Sequence, residues 1–255
     1  EELELENRLR KAVENGELFV HFQPKYDLAS QRMVGVEALM RWQGPDGKLV
    51  SPADFIPVLE DTGLIIDAGR QVLTSAKETY QRWRARFQAP PRIAINVSAV
   101  QLRRKTFVDE VRAALGPIGA DGGGIDLEIT ESLLMNDVDA TIFKLRELRD
   151  MGLNIALDDF GTGYSSLAYL SRLPVDTLKI DRAFVHGMTK QERDRSIVSA
   201  IVSLAQALRL KVIAEGVETE ADVAILRELG CHQVQGFFFS RPLALEKLEA
   251  LLKPL

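Results

Sequence analysis

The sequence predicts an α/β protein built as a (β/α)8 TIM-like barrel, and three observations carry that expectation. Eight short segments alternate apolar and polar residues with the two-residue period of a strand. Most of them are joined by stretches whose apolar residues recur at helical spacing. A chain of 255 residues is also the usual size of one such barrel.

Residues 3–14 place Leu5, Leu9, Ala12 and Val13 on one face of an amphipathic helix, with Asn15-Gly16 as its stop. We therefore divide the chain into an N-terminal helix or linker, 1–16, and a barrel domain, 17–255. The first strand runs from Phe19 to Leu28, with Pro24 expected to end its regular pairing. The second runs from Met33 to Trp42, with Glu37, Leu39 and Arg41 on the face opposite Val36, Ala38 and Met40. Ser51-Pro52 reads as a helix start, and a long helix covers about Leu64 to Phe87. Strands at Arg92–Ser98, Ile125–Thr130, Asn154–Leu157, Thr177–Asp181 and Lys211–Glu215 then alternate with helices, the longest of them Gln191–Leu208. The loop from Gly116 to Gly124 holds five glycines but no lysine and no following helix, which excludes a P-loop. A short last strand contains Val234 and Gln235, and a final helix reaches Leu252.

The net charge of −5 argues against a protein that coats DNA or RNA, since binding a phosphate backbone needs clustered cations. Cys231 is the single cysteine, so no intramolecular disulfide is possible; it reads as a small buried hydrophobe. No stretch has the length and apolarity of a membrane span. The chain begins at Glu1 without an initiator Met, and a domain of a longer protein is expected.

Each strand carries one polar residue out of phase with its aliphatics: in order Gln23, Glu37, Asn96, Glu128, Asp158, Lys179, Glu215 and Gln235. In a barrel normally filled by apolar layers, such a ring belongs at the C-terminal rim, where active sites lie. Singly, each has an ordinary reading. Glu37 with Arg41 could be an ion pair, Asn96 a turn former, Glu128 a helix cap, and Lys179 a charge balancing the acids. Asp158 and Asp159 repel unless a raised pKa, a cationic side chain or a divalent metal joins them. Asp159 could equally cap the next helix. Together, Glu37, Asn96, Glu128, Asp158 and Asp159 offer oxygen donors only, and His21, His186 and His232 have no paired metal-ligand spacing. That selects Mg²⁺ or Mn²⁺, and so many carboxylates suit two metals, bridged by Asp158 or a water. Lys179 could accept a proton or orient a nucleophile, and Arg41 could fork onto a phosphate.

These residues resemble the EAL-type cyclic-di-GMP phosphodiesterases over essentially the whole chain. The likeness is carried by Glu37-Ala38-Leu39 with Arg41, Gln23-Pro24-Lys25, Phe55-Ile56-Pro57 and Asn96-Val97-Ser98. It continues through Leu127-Glu128-Ile129-Thr130-Glu131, Asn154–Leu167, Leu178-Lys179-Ile180-Asp181, Ala214–Glu218, and Gln235-Gly236 with Arg241-Pro242. The resemblance implies hydrolysis of cyclic di-GMP to linear pGpG with two Mg²⁺ or Mn²⁺ ions, and Ca²⁺ as an inhibitor. It implies that Glu37, Asn96, Glu128 and Asp158 hold the first metal, with Asp158 bridging and Asp159 holding the second. Glu215 is similar to the acid that holds the metal-bound water, Lys179 to the catalytic lysine, and Glu131 to the acid that steadies the loop after Asp159. Glu218 and Gln235 line the site; Gln23, Leu39 and Arg41 resemble substrate contacts. The family's first strand is irregular and antiparallel to the others, and the loop Phe160–Ser166 with its following helix takes part in dimerisation. A cytoplasmic bacterial protein with an upstream regulatory domain is implied as well. The alternative is a non-catalytic cyclic-di-GMP receptor or interaction module; against it, every metal position of the family is filled here.

Overall fold

A computed structural model of the chain describes residues 2–132, 137–163 and 167–255. The strands are β1 (Phe19–Asp27), β2 (Met33–Gln43), β3 (Leu49–Val50), β4 (Arg92–Asn96), β5 (Ile125–Thr130), β6 (Asn154–Phe160), β7 (Thr177–Ile180), β8 (Lys211–Glu215) and β9 (Gln233–Gln235). Hydrogen bonding runs in the order β1-β9-β8-β7-β6-β5-β4-β2, and β1 also pairs with β2, so eight strands close a barrel. β3 extends β2 at its far end, pairing at Trp42 and Gln43. The pairs from β2 to β9 around the barrel are parallel, whereas β1 is antiparallel to both neighbours, as the resemblance implied.

Outward-facing aliphatics such as Ile93, Leu127, Ile155, Leu157, Leu178 and Val212 are buried under the surrounding helices. The principal helices are α1 (Glu2–Glu14), α2 (Pro52–Asp61), α3 (Ile65–Arg86), α4 (Ala99–Arg103), α5 (Phe107–Leu115), α6 (Val138–Asp150), α7 (Leu167–Leu170), α8 (Arg182–Gly187), α9 (Glu192–Ala207), α10 (Glu220–Glu228) and α11 (Leu245–Glu249). α1 is packed rather than free: Leu9, Ala12 and Val13 join Trp42, Phe55 and Leu59 in a second apolar cluster over the end of β2. Among the described residues, no helix is long and apolar enough to cross a membrane.

Several details depart from the sequence expectation. β1 does not stop at Pro24, which pairs opposite Val36. Phe22 turns its N–H away from β2, toward the Leu243 carbonyl. Pro24, two residues on, faces the same way at a level where β9 has not begun to pair, so its missing N–H costs no ladder bond. The final helix ends at Glu249 rather than Leu252, and α8 was not expected. Ser51 does start α2, with proline at the first turn, but its hydroxyl makes no cap bond. Glu37 and Gln23 sit in mid-strand rather than at strand ends; they share a level because β1 runs the other way and pairs Gln23 with Glu37.

Candidate active site

The inward faces of the strands converge on Lys179. Projecting from β7, it is wholly buried, and its ammonium meets Glu128, Glu215 at 2.6 Å, Glu37 at 3.5 Å and Asp158 at 3.7 Å. Glu37 is held from both sides, accepting from Asn96 Nδ2 at 2.7 Å and from Gln235 Nε2 at 2.6 Å. Gln235 also donates to Gln23 Oε1 at 2.9 Å, and Gln23 in turn donates to the Ser240 carbonyl. All eight residues of the sequence-derived ring therefore form one hydrogen-bonded, ion-paired network. It is not confined to the rim: Glu128 is 1% exposed and lies inside the barrel. The side-chain Oε1 of Gln235 is buried with no donor among the described residues.

Asp158 and Asp159 follow on β6, where pairing with β7 shifts register between Leu157 and Phe160. Asp159 adopts a left-handed φ of 53°, a conformation short polar side chains tolerate, and donates its N–H to Asp158 Oδ1 at 2.8 Å. Carboxylate oxygens of Asp158, Asp159 and Glu215 all lie within 4.8 Å of one another. Asp159 does not cap a helix, since α7 begins at Leu167. Its backbone leads into Gly161, where φ is 97° and an added Cβ would stand 2.8 Å from the Phe184 ring, so glycine is required. Glu131, buried below, accepts the N–H groups of Gly161 and Gly163, each at 3.2 Å. Residues 164–166 of the loop that the resemblance linked to dimerisation lie outside the described residues.

The electrostatics follow from burial and crowding. Burial opposes ionisation of Glu37, but Lys179, Lys25 and the two amide donors outweigh it and lower its pKa to about 2. Glu128 is raised, by burial first and then by Glu37. Burial, with the neighbouring acids and against Lys179, lifts Glu215 to about 8. Asp159 rises to about 6 through burial, Asp158 and a hydrogen bond with Asp181. Burial alone would depress Lys179; the four carboxylates around it reverse the sign and hold it well above the usual lysine value. It is an ammonium that balances acids, and Glu37 takes no part in an ion pair with Arg41, whose guanidinium donates to the Met40 carbonyl.

Two residues that the sequence showed only as members of the family-like motifs, with no role at the site, stand in this network. Lys25 grips Glu128, and Asp181 shares a hydrogen bond with Asp159. Both follow a chosen residue by two, Gln23 and Lys179, so the strand period itself was the available signal.

The donor set suits divalent cations. The acids Glu37, Glu128, Asp158, Asp159, Asp181 and Glu215 outnumber the ammonium groups of Lys25 and Lys179, so the cluster has room for added positive charge. Two divalent ions bring four positive charges, and a bound phosphodiester returns one. A cavity opens on either side of the acids. One of about 460 Å³ is lined by Arg41, Ile56, Asn96, Ser98 and Gln101, the other of about 250 Å³ by Gln23, Glu215, Glu218, Gln235 and Phe237. Leu39 borders both. Glu218 stands at the outer edge of the second, 3.4 Å from His186.

Comparison with known proteins gives a consistent result. The EAL domain family matches residues 6–242. The chain is 46% identical over 250 residues to MucR of Pseudomonas aeruginosa, a bifunctional diguanylate cyclase/cyclic di-GMP phosphodiesterase, covering 98% of this chain and 36% of that protein. It is 40% identical over 243 residues to the cyclic di-GMP phosphodiesterase PdeR of Escherichia coli, covering 95% and 36%. The solved MucR phosphodiesterase in complex with c-di-GMP superposes with a TM-score of 0.90 at 44% identity, over 96% of this chain and 99% of that one. The chain spans about a third of the length of these curated relatives.

Proposed function

The chain belongs to the EAL domain family, and from that premise we propose that it hydrolyses one phosphodiester bond of cyclic di-GMP to give linear 5′-pGpG. The observation that supports this best is the acid network with a cavity on each side of it. A cyclic dinucleotide carries two bases across its phosphodiester ring, and this layout offers each base a pocket while a scissile phosphate rests over the acids. Arg41, in the larger cavity, forks onto a phosphate, and Leu39 separates the two halves. The unpartnered Gln235 oxygen accepts a ligand donor, and Gln23 and Glu218 shape the smaller pocket.

Glu37, Asn96, Glu128 and Asp158 would hold one Mg²⁺ or Mn²⁺, and Asp158 with Asp159 and Glu215 the other. When bound, such a pair neutralises phosphoryl oxygens and lowers the pKa of water. Lys179, as an ammonium, and Glu215, 2.6 Å away, orient the attacking water, and the Glu215 carboxylate takes up its proton. Attack on phosphorus breaks the P–O3′ bond, and the proton returns to the leaving oxygen. Ca²⁺, larger and tolerant of irregular coordination, is expected to inhibit. Glu131 holds the loop after Asp159 in place.

The chain is best read as a bacterial cytoplasmic module, with an N-terminal helix through Gly16 joining it to a regulatory domain; that its relatives are about three times longer supports this. Leu167, 66% exposed at the start of α7, supports a homodimer through this segment. The test is chromatographic product analysis of cyclic di-GMP incubated with the protein and Mg²⁺, Mn²⁺ or Ca²⁺. Formation of pGpG with the first two is expected. Tight nucleotide binding with no pGpG, even with Mn²⁺, would replace the enzyme reading by the receptor one.

A further inference from the structure

Glu128 has no exposed side-chain surface, and both of its oxygens are taken by lysines: Lys179 holds Oε2 and Lys25 holds Oε1. Lys179 belongs to the rim network, whereas Lys25 arrives from the opposite end of the barrel. Because β1 is antiparallel, the chain descends from Gln23, opposite Glu37, to Lys25, opposite Gly35. Two residues of strand make a drop of about 7 Å. There Lys25 lines a cavity of about 450 Å³ at the N-terminal mouth, together with Ala94, Asp126, Glu128 and Ala156, and it touches neither cavity of the C-terminal mouth. The small inward side chains Ala94 and Ala156 leave the axis open for a lysine stem to reach Glu128.

A buried ammonium is costly, and it is kept where it meets a specific partner. Among the described residues, Glu128 is the one acid within ion-pair distance of Lys25. Lys179 touches four acids directly, whereas Lys25, whose charge is also felt by Glu37, makes direct contact with one oxygen of one carboxylate. The last torsion of a glutamate is soft and roughly two-fold, so a carboxylate held from one side only can swing. We propose that Lys25 is a positioning residue: by holding Oε1 of Glu128 from the floor of the barrel, it turns Oε2 up toward Lys179 and the rim. This rests on the reading of the rim as a phosphodiesterase site.

The test is a double-mutant cycle in which kcat and KM for cyclic di-GMP are measured for the wild type, Lys25→Met, Glu128→Gln and the double variant. Lys25→Met is expected to lower kcat by about 10–100-fold, the usual effect of losing a group that orients a ligand. KM should stay within about twofold, because Lys25 lines no substrate cavity. Added to Glu128→Gln, the lysine replacement should change kcat by less than about twofold, since both act through one carboxylate. A lower melting temperature with intact kcat would overturn the proposal, as would a full loss multiplied onto that of Glu128→Gln. If Lys25→Met alone fails to fold, the double variant measured against Glu128→Gln decides. If the wild type makes no pGpG, the phosphodiesterase reading fails by itself. Lys25 is then tested by ¹⁵N NMR of the Lys179 ammonium: a shifted signal in Lys25→Met supports the shared acceptor, and an unshifted one overturns it.

Discussion

Replacing Lys179 by methionine keeps most of the stem's volume and deletes the one positive charge that meets Glu128, Glu215, Glu37 and Asp158 together. Lys25, which pairs with Glu128 alone, is then the ammonium left among the acids of the network. Removing one member of a buried ion-paired set costs about 3–5 kcal/mol. Glu215, lifted to about 8 by burial and its neighbours, is already largely protonated at neutral pH and leaves no full unpaired charge behind, which holds the loss to about 3 kcal/mol. For a domain of this size, each kcal/mol moves the melting temperature by about 2–4 °C, so Lys179→Met should melt about 6–12 °C below the wild type in EDTA at neutral pH. Mg²⁺ or Mn²⁺ should raise the variant's midpoint by more than the wild type's, because the ammonium that competes with cations is gone. Turnover of cyclic di-GMP should fall by at least about 100-fold. Calorimetry with and without metal, beside chromatography of pGpG, measures all three. An unchanged midpoint in EDTA, or turnover above about a tenth of wild type, would refute the reasoning.

Stability should also depend on pH with a definite sign. Asp159 at about 6 and Glu215 at about 8 are raised above their unfolded values, so the folded chain keeps protons that the unfolded chain has released. Their contribution is complete below the ordinary carboxylate range and is lost as pH rises through about 6 and then 8; the urea midpoint in EDTA should fall over that window, and a rising midpoint would contradict it. Glu37, lowered to about 2, acts oppositely and only below the ordinary carboxylate range. Glu131→Ala removes the acceptor shared by the Gly161 and Gly163 amides. Hydrogen exchange at both amides should accelerate by about tenfold or more, the equivalent of one charge-assisted bond, with turnover reduced in parallel; unchanged exchange would show that another group holds the loop.

The barrel was legible because its two periods are written locally: Ile95 and Val97 around Asn96, or Leu127 and Ile129 around Glu128, alternate with polar partners whatever lies beyond them. β7 shows the same for the site, since Lys179 out of phase with Leu178 and Ile180 had to face inward. α8 and the shortened last helix escaped because such short segments carry too few turns to establish a period. Pro24 misled for a related reason: whether a proline breaks a ladder depends on which neighbour its N–H would have faced, and that neighbour is β9, about 210 residues away.

By itself the sequence determined which residues face the barrel axis and that their donors are oxygens and ammonium groups, because strand alternation and side-chain chemistry are properties of the local chain. Only the tertiary structure decided who meets whom. It placed Lys25 under Glu128, gave Asp159 a partner in Asp181, joined Glu37 to Asn96 and Gln235, and made Lys179 the centre of four acids. Those pairings come from closing the barrel with an antiparallel first strand. Closure brings together groups from β1 to β9, and the pKa of each then follows from that shared, water-poor interior.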